Sequence, residues 1–66
     1  MERQHTENLF RRYKGKVVTV RSVSGSVYKG TVEEITNDYV LLTADKNQNF
    51  VLFEAIESIV IVEAAS

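Results

Sequence analysis

The chain has no cysteine, no proline, no tryptophan and a single histidine among its 66 residues. Without cysteine there is neither a disulfide framework nor a thiolate metal site, and one imidazole, His5, cannot build a histidine cluster. No metal or cofactor is therefore expected. No apolar run approaches the roughly 18 residues of a membrane span, and the charged N-terminus lacks the apolar stretch of a signal peptide. The sequence reads as soluble and cytoplasmic, with no membrane partner. At this length one domain is expected, and a chain this short buries only roughly 60% of the surface its unfolded form exposes. Small scaffolds supplement such a core with disulfides, metals or association. With the first two excluded, association with copies of itself remains.

Charge is nearly balanced overall, at −1, but unevenly placed. Residues 1–30 carry seven basic side chains against two acidic, and residues 31–66 carry one against seven. One reading is a basic face that an oligomer would repeat; the other is that the two halves interleave and the charges only solvate the surface.

The stretch from Val18 to Ile35 is the most informative. It reads as a strand, a tight turn at Gly25 and a second strand containing Gly30. Gly25 falls where a two-residue hairpin loop needs a residue free of a Cβ clash. Gly30, inside a strand pattern, marks a sharp bend or a close backbone approach. Before this hairpin, Leu9, Phe10 and Tyr13 suggest one face of a short helix, with Thr6 or Asn8 as its cap and Gly15 as its stop. From Lys16 the period becomes two, with Val18, Val20 and Ser22 on one face and Val17, Thr19 and Arg21 on the other.

Further on, Val27 to Ile35 forms a long strand, Thr36-Asn37-Asp38 a turn and Tyr39–Thr43 a strand apolar on both faces. Residues 45–49 read as a polar turn, Phe50–Phe53 as a short strand, 54–57 as a turn and Ser58–Val62 as the last strand. The expected architecture is mainly β: a helix over residues 1–14, a strongly bent five-stranded SH3-like barrel over 15–63 and a tail at 64–66. The continuous apolar runs at Tyr39–Leu42 and Ile59–Val62 require cover on both faces, from the helix or from another subunit. An uncharged final strand left open would be an aggregation hazard that pairing between subunits removes.

This order of elements resembles the Sm/LSm family, including its bacterial Hfq-like branch. Val18, Val20, Gly25, Tyr28, Gly30, Val32 and Ile35 fall on the family's first motif without a gap, and Tyr39 and Leu41 continue it. The resemblance runs from about Leu9 to Val62. It implies a ring in which the last strand of one subunit pairs with the fourth of the next, giving Phe50, Leu52, Ile59, Val60, Ile61 and Val62 as interface residues. It also implies single-stranded RNA bound near the pore by the loop after strand two and the turn after strand four. Those positions here hold Asn37, Asp38, Tyr39 and Phe53.

This chain departs from the family at several of these places. Thr36 stands where the family usually has a loop-fixing aspartate, and Asp38 where a base-stacking side chain belongs. Val40 replaces the asparagine of the Sm branch, and Leu52-Phe53-Glu54 replaces the arginine-glycine pair or the tyrosine-lysine-histidine triplet. Repeated around a pore, Asp38 and Glu54 would repel phosphates. Tyr39 and Phe53 each read as a stacking ring or as core, with core the preferred reading for both. The second candidate RNA surface is the basic set Arg11, Arg12, Lys14 and Lys16, which the family's geometry would arrange as a collar; the same residues also suit the C-terminal dipole of a helix without any RNA. Arg21, Ser26 and Lys29 occupy outward positions on the first two strands.

Enzymatic chemistry finds no constellation. His5 lies near the terminus, Glu33 and Glu34 are adjacent on a strand and point to opposite faces, and Ser24-Gly25-Ser26 is too short to cradle a phosphate. Asp38 and Asp45 read as turn formers. Two functions are carried forward: an Sm-like ring that binds single-stranded RNA, and an oligomeric Sm-like or SH3-like scaffold or protein-interaction module without RNA.

Overall fold

The computed structural model describes residues 2–61. Helix α1 (Arg3–Arg12) starts at Glu2, whose carboxylate accepts from the backbone N–H of Gln4 at 3.1 Å and of His5 at 2.7 Å. The cap is thus Glu2 rather than Thr6 or Asn8; Thr6 lies inside the first turn, its hydroxyl donating to the Glu2 carbonyl at 2.7 Å. The helix closes on Arg11 and Arg12, and Gly15, at φ +86°, turns the chain away. Thr6 and Phe10, four residues apart, are its buried pair, and Tyr13 packs partly against the core. Leu9, expected on that face, is only half-buried and stands outside the core cluster. Thr6 takes the inward position because it stacks below Phe10 and satisfies its own hydroxyl within the helix.

Strand β1 (Val17–Ser22) alternates as expected, with Val18, Val20 and Ser22 buried. It runs antiparallel to β2 (Val27–Ile35), from Val17 opposite Thr31 to Arg21 opposite Val27. The connection is a four-residue loop, Val23-Ser24-Gly25-Ser26, rather than a two-residue one. It is closed by the Ser22 N–H on the Ser26 carbonyl at 2.8 Å, with Gly25 at φ +94°.

β2 changes partner along its length: Val27–Thr31 pair with β1, and Thr31–Ile35 with β3 (Tyr39–Ala44). The register slips between Val32 and Glu34, next to the crossover. Gly30 sits at this bend, where an added Cβ would lie 2.8 Å from the Thr43 carbonyl oxygen. The bend therefore needs a residue without a side chain, as the sequence pattern suggested.

A two-residue turn, Asp45-Lys46, joins β3 to β4 (Asn47–Leu52), with Asp45 at φ +46°. The polar segment expected to be a turn over 45–49 is therefore mostly strand: Asn47, Gln48 and Asn49 face Ala44, Thr43 and Leu42. Their side chains read as loop, but the tight turn sets the ladder. A 3-10 turn (Phe53–Ala55) leads into β5 (Ile56–Ile61), which starts two residues earlier than expected. Val62, the expected end of that strand, lies outside the described residues.

The sheet order is β4-β3-β2-β1-β5. The sheet is strongly bent but not closed, and β4 and β5 remain its two edges. Its concave side holds Val18, Val20, Val32, Val40, Leu42, Val51 and Ile56, with Phe10 stacked on Phe53 across 5.9 Å between centroids and 11° between planes. α1 packs against β2 and the 3-10 turn.

Candidate nucleic-acid and self-association surfaces

Three surfaces carry the residues singled out above. The first is the pair of open edges. On β3, Val40 and Leu42 point into the core, while Tyr39 and Leu41 lie on the other face opposite Leu52 and Phe50 of β4, where Leu41 is itself buried. Tyr39 meets Phe50 edge-to-face at 5.5 Å and is only half-buried. This corrects the expectation that Tyr39 is core: its parity with Leu41 puts it on the outer face. Phe50 and Leu52 are 59% and 49% exposed, and a recess of about 180 Å³ beside them is lined by Tyr28, Val51 and Ala55 among others. At the opposite edge, Ile59 and Ile61 lean on the core while Val60, opposite Thr19, is 54% exposed. β5 is thus covered on one face only, not on both. Neither edge has the usual protection. There is no proline on either strand, no charge on β4 and only Glu57 on β5.

The second surface joins the loop after β2 to the 3-10 turn. The Thr36 hydroxyl accepts from the backbone N–H of Asp38 at 3.2 Å and of Tyr39 at 3.1 Å, and the Thr36 N–H donates to the Tyr39 carbonyl at 3.0 Å. Thr36 thereby fixes the loop, the task assigned above to an aspartate. The Phe53 N–H donates to the Asp38 carbonyl at 2.9 Å and ties the loop to the turn. Asn37 and Asp38 are exposed, and Asp38 meets Arg3 at 3.7 Å in a solvated pair worth about 0–1 kcal/mol. Phe53 is 1% exposed beneath Phe10. As a base-stacking residue it is overturned, because both its faces are spent inside the protein.

The third surface is the end of α1 and the chain after it. Arg11, Arg12, Lys14 and Lys16 are all exposed and follow one another closely along the chain. Arg11 is engaged: its Nε and Nη2 donate to Glu7 Oε2 at 3.2 and 2.8 Å. Arg12, Lys14 and Lys16 form no ion pair among the described residues. On the outer face of the first two strands, Arg21 meets Glu57 at 3.6 Å, and Lys29 stands opposite Thr19.

Sequence reasoning missed two residues that position these surfaces, Arg3 and Glu7, and took Thr36 for a departure where it fixes the loop. The i,i+4 spacing of Glu7 and Arg11 was a legible signal, and a threonine opening a polar turn is another. The Arg3–Asp38 contact is tertiary and left no local trace.

A helix followed by five antiparallel strands, with a glycine bend in the second and the first strand between the second and the fifth, decides the fold when set beside solved structures. The crystal structure of Hfq, described as a pleiotropic translational regulator, superposes with a TM-score of 0.76, covering 86% of this chain and 98% of that one. The fold is Sm-like, as in Hfq. Sequence identity over the match is 24%, so the likeness is one of fold. No family model matches the sequence, and no curated protein does.

Proposed function

We propose that this chain is the subunit of an Sm-like ring that binds single-stranded RNA through the basic end of α1. Two half-exposed apolar edges at opposite ends of one sheet are the observation that carries the ring. β4 of one copy against β5 of the next is a head-to-tail contact, which closes into a ring when the rotation allows. It would cover Phe50, Leu52 and Val60 and satisfy both open ladders. The Sm-like fold supports this arrangement, and each subunit would repeat Arg12, Lys14 and Lys16 around the assembly.

The basic segment supports RNA better than the pore-side loops do. Single-strand recognition needs flat rings for bases and cations for phosphates. The loop after β2 exposes Asp38, the turn after β4 exposes Glu54, and the Phe53 ring is spent on Phe10. These same features favour the second reading, a ring that serves as a scaffold or protein-interaction module without RNA.

Fluorescence anisotropy with U-rich and A-rich oligonucleotides separates the two readings. Under the RNA reading, binding weakens steeply with salt, and replacing Arg12, Lys14 and Lys16 together with alanine abolishes it while the assembly keeps its mass. A flat titration at low salt and high protein leaves the scaffold.

A further inference from the structure

We infer that Glu7 is an internal competitor for the Nε–Nη2 edge of Arg11, so that RNA must displace a carboxylate before it can use that edge. The inference rests on the RNA-binding reading above and adds to it which residue restrains the surface.

The geometry is specific. Glu7 and Arg11 stand one turn apart on α1, with the acid N-terminal to the base, the favourable orientation on a helix. Two donors on one edge of the guanidinium, Nε and Nη2, converge on the single oxygen Oε2. A guanidinium recognises a phosphate through such two-donor edges, so one of the two edges Arg11 could offer RNA is occupied in the free protein. The Glu7 side chain is 12% exposed against 52% for Arg11, so the carboxylate is sheltered while the arginine lies over it toward solvent. Arg12, Lys14 and Lys16 carry no comparable restraint among the described residues. Lysines bind phosphate as point charges, which leaves Arg12 as the one unrestrained fork of the set.

Releasing Arg11 should therefore add a phosphate contact, not merely a unit of charge. Glu7→Gln tests this, with Glu33→Gln as a control that makes the same charge change on exposed β2 and leaves α1 untouched. Anisotropy is measured over a salt series for wild type, both single variants and the double variant Glu7→Gln/Arg11→Ala. The expected result is that Glu7→Gln tightens binding about twofold for each subunit that holds the strand, compounding over subunits. It should also steepen the slope of log K against log salt by about 0.7 per added phosphate contact. Glu33→Gln leaves the slope unchanged, and the double variant loses the gain.

Equal gains and equal slopes for the two single variants would overturn the inference, as would a gain that survives loss of Arg11. Binding by wild type with no change in Glu7→Gln sinks the inference and leaves the RNA reading standing. Absence of binding by every variant sinks both. A readout independent of RNA is the Arg11 Nε–Hε resonance. Its hydrogen should exchange slowly in wild type and fast in Glu7→Gln; fast exchange in both would show that the pair does not hold Arg11 in solution.

Discussion

The inner face of β3 and the β4 edge beside it have opposite fates. Val40 and Leu42, on one face, are completely buried by the chain's own strands and helix. On the other, Leu41 is also buried and Tyr39 half-buried, but their β4 neighbours Phe50 and Leu52 stay half-exposed at the sheet's edge. A central strand of a larger protein would be covered on both faces. Here the chain covers the inner face completely and leaves the edge beside the outer one half-exposed. Under the ring proposal, inner-face residues answer for whether the subunit folds, and exposed edge residues for whether it assembles.

Substitutions that break the inner face should have the largest effects. Gly30→Val places a branched side chain against the Thr43 carbonyl, where the 2.8 Å approach of even a Cβ cannot be relieved without moving backbone. Loss of the cooperative thermal transition by circular dichroism is the expected result, and an unchanged melt would misplace the bend. Phe53→Ala removes half of the Phe10 stack and should cost about 3–5 kcal/mol, a large share of what a domain this small can hold. Urea titration measures it. A cost below 1 kcal/mol would mean that the ring is not core.

An edge substitution sharpens the contrast. Val60→Lys should leave the circular dichroism spectrum unchanged yet reduce the assembly to subunits in light scattering, lowering the melting temperature only through lost association. Unfolding instead would show that the outer face belongs to the subunit's own core. The smallest effect is expected at Thr36→Val, which keeps the side-chain shape and removes three hydrogen bonds from the loop. A cost of about 1 kcal/mol, or roughly 4–8 °C in melting temperature for a domain of this size, should come with faster amide exchange at Asp38 and Tyr39.

How far each region was legible follows the same division. The β1–β2 hairpin, the bounds of β2 and the bend at Gly30 could be read because alternation and glycine are local signals. Phe53 could not be settled by alternation, since a 3-10 turn has no period of two, and only its stack on Phe10 places it. Asn47, Gln48 and Asn49 look like loop, and their strand is dictated by the Asp45-Lys46 turn two residues earlier. Leu9 lost its expected place to Thr6, whose hydroxyl bond to Glu2 lets a polar residue go under the helix. The candidate RNA surface was legible as a run of basic residues, but the partners that restrain it were not. Arg3–Asp38 joins positions 35 apart in the chain. Glu7–Arg11 had the spacing but was overlooked beside the net charge.

The most direct test is the molar mass of the purified chain by light scattering after size exclusion. Covering of the outer face by copies predicts a single species at an integer multiple of the 7.5 kDa subunit, stable to dilution. A monodisperse species at the subunit mass, persisting at high concentration, would contradict it.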